Sequence, residues 1–573
     1  MGSNNGPTSE SYSAPWHGAL GVTAIEHISP LEQDGAVSPG QRDSMQIEVL
    51  QGALACDWAA CASNRRQWNI LFEECPWATA FQSQAFFAVW SRHYSRTWSP
   101  LLLVARRSDR IVAGIMPLAV RGDRIVGVGA HQGEYQGWIS RESDAGEFLA
   151  RALDTVASLF PAHQLCLRYL PYLTPPSVLD DLPLTNRRVT LHRHLCHELK
   201  IDQQAIQRVL RKKGNRSKMH RLQKLGKLEF CLRDASTVAA DLDQIIGMYD
   251  LRQGSLNGVC PFEDDPVKRA FHIDWLRTCS EHLRIGVALL DGRIAAAIIF
   301  VRSREDLHLA ITAHDPRVAE HSPNKLNMYE SALLLAADGA ATIDLTPGGD
   351  SWKARFATSQ REVMELVMHR SKQHAERERQ LSAAKAKIRG VLALASISVS
   401  EVKSRWRDVQ ESLRTAVTRF GKGREALYEG PVPQTTARAD GEVLVDQMQH
   451  IVEFGWVLTR RRRQEFLSDA VRRLEHGERC YMVPNGGRGI ACVGWLSLPR
   501  SKPAAPTDGQ DCATIYDLVA TDDAAASAPY QMLERMFADV AVVQGVGRVL
   551  VRLPRDQAVF PTLLQQFGLS LRH

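Results

Sequence analysis

A hairpin pattern recurs three times in this chain, and it limits the possible folds more than any other feature. Leu101–Val120 reads LLLVARRSDRIVAGIMPLAV, Arg284–Arg302 reads RIGVALLDGRIAAAIIFVR and Cys480–Leu498 reads CYMVPNGGRGIACVGWLSL. Each holds an apolar run, a turn bearing Asp or Gly, and a second apolar run that opens beside Arg110, Arg293 or Arg488. Strand, turn and strand is the hairpin signature. Helical patterns flank every copy, and the copies recur at domain-sized intervals. The reading is three related α/β modules.

Length agrees with that count: 573 residues correspond to three or four domains. Hydrophobic residues at 44% and charged residues at 23% exclude a mostly disordered chain, a fibrous repeat and a disulfide-dense mini-protein. A net charge of +6 is too slight over this length to mark a nucleic-acid binder, and no DNA partner is expected, so any basic patch has to be local. Eleven cysteines with no CxxC pair read as reduced, mostly buried thiols. Neither a secretory signal nor an apolar run of membrane-spanning length stands out. A cytoplasmic address is expected, with contact at the inner face of a membrane left open.

Composition divides the chain further. Residues 1–45 hold seven Ser, six Gly and four Pro, with one Arg against five acids, which predicts a disordered tail. The first module is expected over 46–200 and the second over 201–372. A helical connector and linker fill 373–443, with Gly421–Val443 as the linker proper, and the third module covers 444–573. Ser501–Asp511 reads as a long loop between strands. Residues 203–228 carry nine Lys or Arg and no acid, with a partial apolar stripe at helical spacing and Gly214 as a break. That basic run reads as a solvated face, a contact for anionic lipid or polyanionic carbohydrate carriers, or an RNA-backbone contact.

The stretch HDPRVAEHSPNKLNMYESALLLAADGAATIDLTPGGDSWKARFA, His314–Ala357, resembles the C-terminal half of the CelD/FemAB-like group of the GNAT acyltransferase superfamily. The matching residues are Asp315-Pro316, Ser322-Pro323, Asp344-Leu345, Gly349-Asp350 and Trp352-Lys353. The first module matches more loosely through Phe81-Gln82-Ser83, Trp90, Pro117-Leu118 and Gly133-Glu134-Tyr135. The resemblance spans roughly 66–370 and implies an α/β (α+β) fold of tandem GNAT-like modules with mixed, mostly antiparallel sheets. It further implies an acyltransferase that moves an acyl group from acetyl-CoA or another acyl-CoA to an amine or hydroxyl acceptor, without a metal. The acceptor would be a small molecule, sugar or peptide, as in cell-envelope or exopolysaccharide building. A FemAB-like aminoacyl-tRNA-dependent transferase and a non-catalytic binding scaffold are the alternatives.

Direct transfer needs a polarised carbonyl, a proton acceptor and an acid for the leaving thiol in one cleft. Family-matched candidates for the proton chemistry are Glu134, Asp315 and Asp350. Ser322, Asn324, Lys325 and Lys353 are candidates for the coenzyme. Asn324 stands where relatives carry the glycine of a pyrophosphate loop, while Lys325 supplies positive charge. Tyr135, Arg252 and Trp352 are candidates for the acceptor side, with core packing and a structural ion pair as the plainer readings. Asp344 reads equally as a turn cap or a site residue. His192, His194 and Cys196 share one strand face, but three neighbours on one strand seldom converge on a metal. Thr521–Tyr530, at the matching place in the third module, carries two acids and no glycine, which disfavours a pyrophosphate there.

Overall fold

The computed structural model describes residues 45–573, apart from 109, 181, 183–186, 234, 349–351, 395–424, 435–441, 459–460, 486–488, 500–510, 522–523, 525–526, 555–556 and 573. The predicted tail, Arg488, and most of the stretch after residue 394 in the helical connector therefore lie outside the described residues, as does the Ser501–Gln510 loop. The chain forms two compact units. One comprises Met1–Asn186 with Asp264–Pro266 and Met364–Arg370; the other comprises Arg187–Glu263, Val267–Val363 and Ser371–His573.

In the first unit, strand β1 (Gln46–Gln51) is followed by helices α1 (Ala53–Ala60), α2 (Ala62–Glu74) and α3 (Gln84–Tyr94). Next come β2 (Ser99–Arg106), β3 (Val112–Arg121), β4 (Arg124–Gly127), the short β5 (Ile139–Ser140), α4 (Ala145–Leu159), β6 (Gln164–Leu167) and α5 (Pro176–Asp180). β1, β2, β3 and β4 form antiparallel neighbours, and β4 runs parallel to β6. The first predicted hairpin is thus β2–β3. Its strands are apolar almost throughout because both faces are covered. Helix α4 buries Phe148, Leu149, Ala152, Leu153 and Val156, a stripe at three- and four-residue spacing. It lies so close to β3 that a Cβ on Gly114 would fall 2.6 Å from the Phe148 ring.

The second unit opens with β7 (Val189–Lys200), the basic helices α6 (Gln203–Leu210) and α7 (Lys213–Leu225), and β8 (Leu228–Arg233). Helices α8 (Ala235–Asn257) and α9 (Lys268–Thr278) precede β9 (Leu283–Leu290), β10 (Arg293–Ser303) and β11 (Asp306–His314). Then follow α10 (Pro323–Ala336), β12 (Thr342–Pro347) and β13 (Ser359–Met368), whose Leu366–Met368 pair with β6 inside the first unit. β8 through β11 are antiparallel in sequence order, β11 is parallel to β12, and β12 pairs with β7. The break in the basic run falls at Arg211–Lys212, not at Gly214, which lies inside α7. Asp202 starts α6 by accepting a hydrogen bond from the Ala205 amide at 3.0 Å.

After α11 (Lys372–Leu394), β14 (Ala426–Pro431) sits between β19 and β20 in a second sheet. This corrects the linker reading of Gly421–Val443 over Ala426–Pro431, whose strand partners lie more than a hundred residues away. The sheet continues with β15 (Leu444–Val445), α12 (Met448–Leu458), α13 (Arg463–Glu475), β16 (Arg479–Pro484) and β17 (Ile490–Ser497). It ends with β18 (Asp511–Ala520), α14 (Ser527–Ala541), β19 (Val546–Leu553), α15 (Phe560–Gln566) and β20 (Ser570–Arg572). β16–β17–β18 are antiparallel and β18 is parallel to β19. All three modules therefore share one order: strand, helices, three antiparallel strands, helix, parallel strand. A mixed α/β fold of repeated modules is what the three hairpins predict.

Candidate active site

The fourth and fifth strands of the second module, β11 and β12, separate. β11 pairs with β12 only through Asp306–His308 against Thr342–Asp344. Beyond Asp344 the β12–β7 register is irregular, Thr346 adopts φ 64° and Pro347 pairs with Cys196, so β12 turns away. The free edge Leu309–His314 of β11 thus faces a gap. A register shift in the β10–β11 ladder bulges β11 at Ala310 and adds to the divergence.

A buried ion cluster holds the closed end of this gap. The Asp344 carboxylate is fully buried and accepts from Cys196 Sγ (2.9 Å), Thr346 N (2.7 Å), His308 Nδ1 (3.1 Å) and Arg361 (2.7 Å). Burial alone would raise its pKa; His308, Arg361 and Cys196 outweigh that and hold it well below the usual carboxylate range. Arg361 also pairs with Glu198 (2.9 Å) and Asp306 (3.3 Å). Asp344 is thus the anchor of four elements, and Cys196 belongs to that anchor. Lys353, also buried, donates to Thr346 O (3.1 Å), Thr346 Oγ1 (3.3 Å) and Pro347 O (3.2 Å). It satisfies the carbonyls freed where β12 bends.

The open end is polar and positive. Asp315 caps the turn Pro316–His321, accepting from Arg317 N at 2.9 Å, and Arg317 embraces its carboxylate with Nε at 3.0 Å and Nη2 at 2.6 Å. Ser322 follows in the left-handed region (φ 52°, ψ 52°) and Pro323 opens α10; the Lys325 and Leu326 amides close onto Ser322 O (3.1 and 3.3 Å), which leaves the Asn324 amide at the positive end of the helix. Lys218 of α7 donates to Ser322 Oγ at 2.6 Å, and Lys325 donates to Asn215 at 3.0 Å. Burial first, then the charges of Lys218, Lys212 and Arg355, lower the pKa of the Lys325 ammonium. Asn324 Nδ2 donates to Thr312 Oγ1 at 2.5 Å, while its buried Oδ1 has no partner among the described residues.

At the last residue of β11, His314 is largely enclosed and its Nδ1 has no partner among the described residues. Burial, then the nearby Arg252 charge, push its pKa down to about 4 against a weaker pull from Asp315, so the imidazole is neutral at physiological pH. Arg252 donates to Thr312 O at 3.2 Å.

The structure thus brings together Arg252, Asp315, Ser322, Asn324 and Lys325. Lys353 and Trp352 lie nearer the β12 bend, where Trp352 packs edge-on against Phe356. Asp350 lies outside the described residues. Glu134 and Tyr135 belong to the first unit: Glu134 is half-buried beside Arg168 and Tyr169, and Tyr135 is fully buried. His192 and His194 sit on β7 away from the Asp344 contacts, and no group of three or more His, Cys, Asp or Glu among the described residues could hold a metal. Thr312 and His314 were not legible as site residues. Lys218 was visible only as one of nine cations, because its choice depends on where α7 lies against Ser322.

Residues 210–354 match the family model of the acetyltransferase (GNAT) domain. A search of curated proteins gives no significant match. Among solved structures, the chain is similar to the C-terminal DUF2156 domain of a putative lysylphosphatidylglycerol synthetase from Agrobacterium fabrum, at 11% identity over 58% of this chain and 96% of that one, TM-score 0.36. It is similar also to FemX, at 10% identity over 53% of this chain and 96% of that one, TM-score 0.38. A tandem GNAT protein of the clavulanic acid biosynthesis pathway gives 11% identity over 56% of this chain and 98% of that one, TM-score 0.33. The family match takes in the splayed strands, α10 and the whole of the basic helix α7, so what the comparison identifies is an acetyltransferase (GNAT) domain over residues 210–354.

Proposed function

We propose that the second module transfers an acyl group from acyl-CoA to an amine or hydroxyl acceptor. The observation that carries this is the gap between β11 and β12, open at a helix N-terminus lined by Lys218 and Lys325. Diphosphate fits that end: the positive N-terminus of α10 with its Asn324 amide and two ammonium groups meet it without an opposing carboxylate, since Asp315 is neutralised by Arg317. The thioester would lie along the free edge of β11, where unspent backbone N–H groups can polarise its carbonyl.

In this reading the acceptor attacks the thioester carbon directly. A carbon–nitrogen or carbon–oxygen bond forms, the carbon–sulfur bond breaks, the acceptor proton passes to an enzyme base, and coenzyme A leaves as a thiolate that takes up a proton from that base or from water. Of the groups at the mouth, Asp315 is held by Arg317, whereas neutral His314 has a free Nδ1 to take that proton. Titration calorimetry with a panel of acyl-CoA species tests the reading: binding is expected, and its absence for every donor would refute it. His314→Gln should lower kcat by about 10²–10⁴-fold with little change in donor affinity.

A second reading rests on the basic face of α6 and α7. Lys212 and Lys218 connect that face to the same mouth, so an aminoacyl-tRNA could present its acyl group there. Strongly salt-dependent tRNA binding, lost in Lys212/Lys213/Arg216→Ala, would favour it over acyl-CoA. Envelope or polysaccharide intermediates remain the acceptor class that the family resemblance suggests. Silence with both donors would leave a binding scaffold.

A further inference from the structure

The ladders of the three modules align in register, and an equivalent backbone amide in each then meets one of two fates. At the end of the third strand of each hairpin sheet, one amide donates back into the sheet: Val128 to Pro117 O (3.0 Å), Asp315 to Ala295 O (2.9 Å) and Thr521 to Ala491 O (2.9 Å). The preceding residues, Gly127, His314 and Ala520, sit opposite Leu118, Ala296 and Cys492 in pairs that are not hydrogen-bonded. Their amides therefore point off the other edge, toward the parallel strand.

In the first module that place is taken. The Gly127 amide donates to Gln136 Oε1 at 3.2 Å, and the same oxygen accepts from Arg168 N at 3.1 Å, just past the end of β6. One side-chain carbonyl thus joins both lips of the gap. Gln136 is buried, its Nε2 donates to Ala130 O at 2.6 Å, and its main chain pairs with Tyr169 (Gln136 N to Tyr169 O, 2.7 Å; Tyr169 N to Glu134 O, 3.1 Å). A Cβ on Gly127 would lie 2.5 Å from Gln136 Cβ, so the glutamine occupies the space any side chain at 127 would need. In the third module the Ala520 amide donates to Gln557 Oε1 at 3.1 Å. In the second, no side chain among the described residues accepts from His314 N.

We infer that Gln136 and Gln557 are built-in occupants of two donor clefts, their amide carbonyls standing where the second module takes the carbonyl of its acyl donor, so that the chain binds one donor only. The inference rests on the acyl-CoA reading for the second module, but the plugs themselves do not. A primary amide carbonyl presents the same two lone pairs to a backbone N–H as a thioester carbonyl does, and it is covalently tethered. The segment Glu134–Gln136 is accordingly part of a plug.

Hydrogen exchange on the full chain, with and without acetyl-CoA, tests this. In the free protein the amides of Gly127, Arg168 and Ala520 exchange slowly. Gln136→Ala speeds Gly127 and Arg168 about tenfold, and Gln557→Ala does the same at Ala520, as loss of one hydrogen bond to a buried amide requires. Gln136→Glu, which keeps an acceptor oxygen, retains slow exchange. Of the three clefts, acetyl-CoA slows amides only in that of the second module, at Leu309–His314 and the start of α10, and titrates with a stoichiometry of one. Ligand-induced slowing at Gly127, Arg168 or Ala520 in the unsubstituted chain, or a stoichiometry above one, overturns the inference. Unchanged exchange in both alanine variants sinks the plugs while leaving the donor reading intact. Failure of acetyl-CoA to slow any amide sinks the donor reading and the one-site claim, with the plug measurements still standing.

Discussion

At the scale of single residues, the site is assembled from cations with few acids to answer them. Lys218 and Lys325 each hold a neutral oxygen, Ser322 Oγ and Asn215 Oδ1. Exchanging those oxygens for phosphate oxygens makes charge-assisted bonds, so Lys218→Ala and Lys325→Ala should each weaken acyl-CoA binding about tenfold by calorimetry. His314 makes a second prediction. Its folded pKa of about 4 lies below its ordinary 6.5, so between these values the unfolded chain binds more protons than the native one. Its neutral state contributes stability that is complete above about pH 6.5 and is lost as the pH falls toward 4. Urea midpoints measured at pH 7 and pH 5 should fall more in the unsubstituted protein than in His314→Gln.

At the scale of elements, the gap exists because β12 is anchored at one end and bent at the other. Asp344→Ala would leave buried His308 without its carboxylate and strip Arg361 of one of its three, and should cost about 3–5 kcal/mol in denaturant unfolding. The helices show how much local pattern can and cannot tell. Apolar spacing predicts helix over the basic run, and α6 and α7 form there, yet the break comes two residues before Gly214. Glycine lowers helix propensity by only about 1 kcal/mol, less than the packing of Asn215 and Leu222 returns. The strand Ala426–Pro431 is misread for a related reason: beside Gly and Pro its pattern is too short to stand out, and its partners β19 and β20 are remote in sequence.

At the scale of the second unit, the third module packs against the second through α8. A Cβ on Gly247 would lie 2.9 Å from the Gln449 amide of α12, and one on Gly254 would lie 2.4 Å from Leu467 of α13. Arg317, beside the mouth of the gap, also reaches Asp446 of the third module at 3.4 Å. Gly247→Val should therefore push α8 and α12 apart and lower stability by about 1–3 kcal/mol, read as a lower unfolding temperature. The third module thus contributes to the loop that leads into α10.

Three hairpins, the order of elements around them and the basic helix could all be read from residue pattern, because strand alternation, turn chemistry and apolar stripes are local properties of the chain. So could Asp315, Ser322, Asn324 and Lys325, which stand within ten residues of one another in a recognisable motif. What folding alone decided is which cleft stays open. Gln136 and Gln557 are ordinary polar residues in sequence, and His314 is one of nineteen histidines. Whether a backbone amide at a strand end is answered by a side chain depends on approach of segments distant along the chain, and such approach leaves no period, spacing or composition to read.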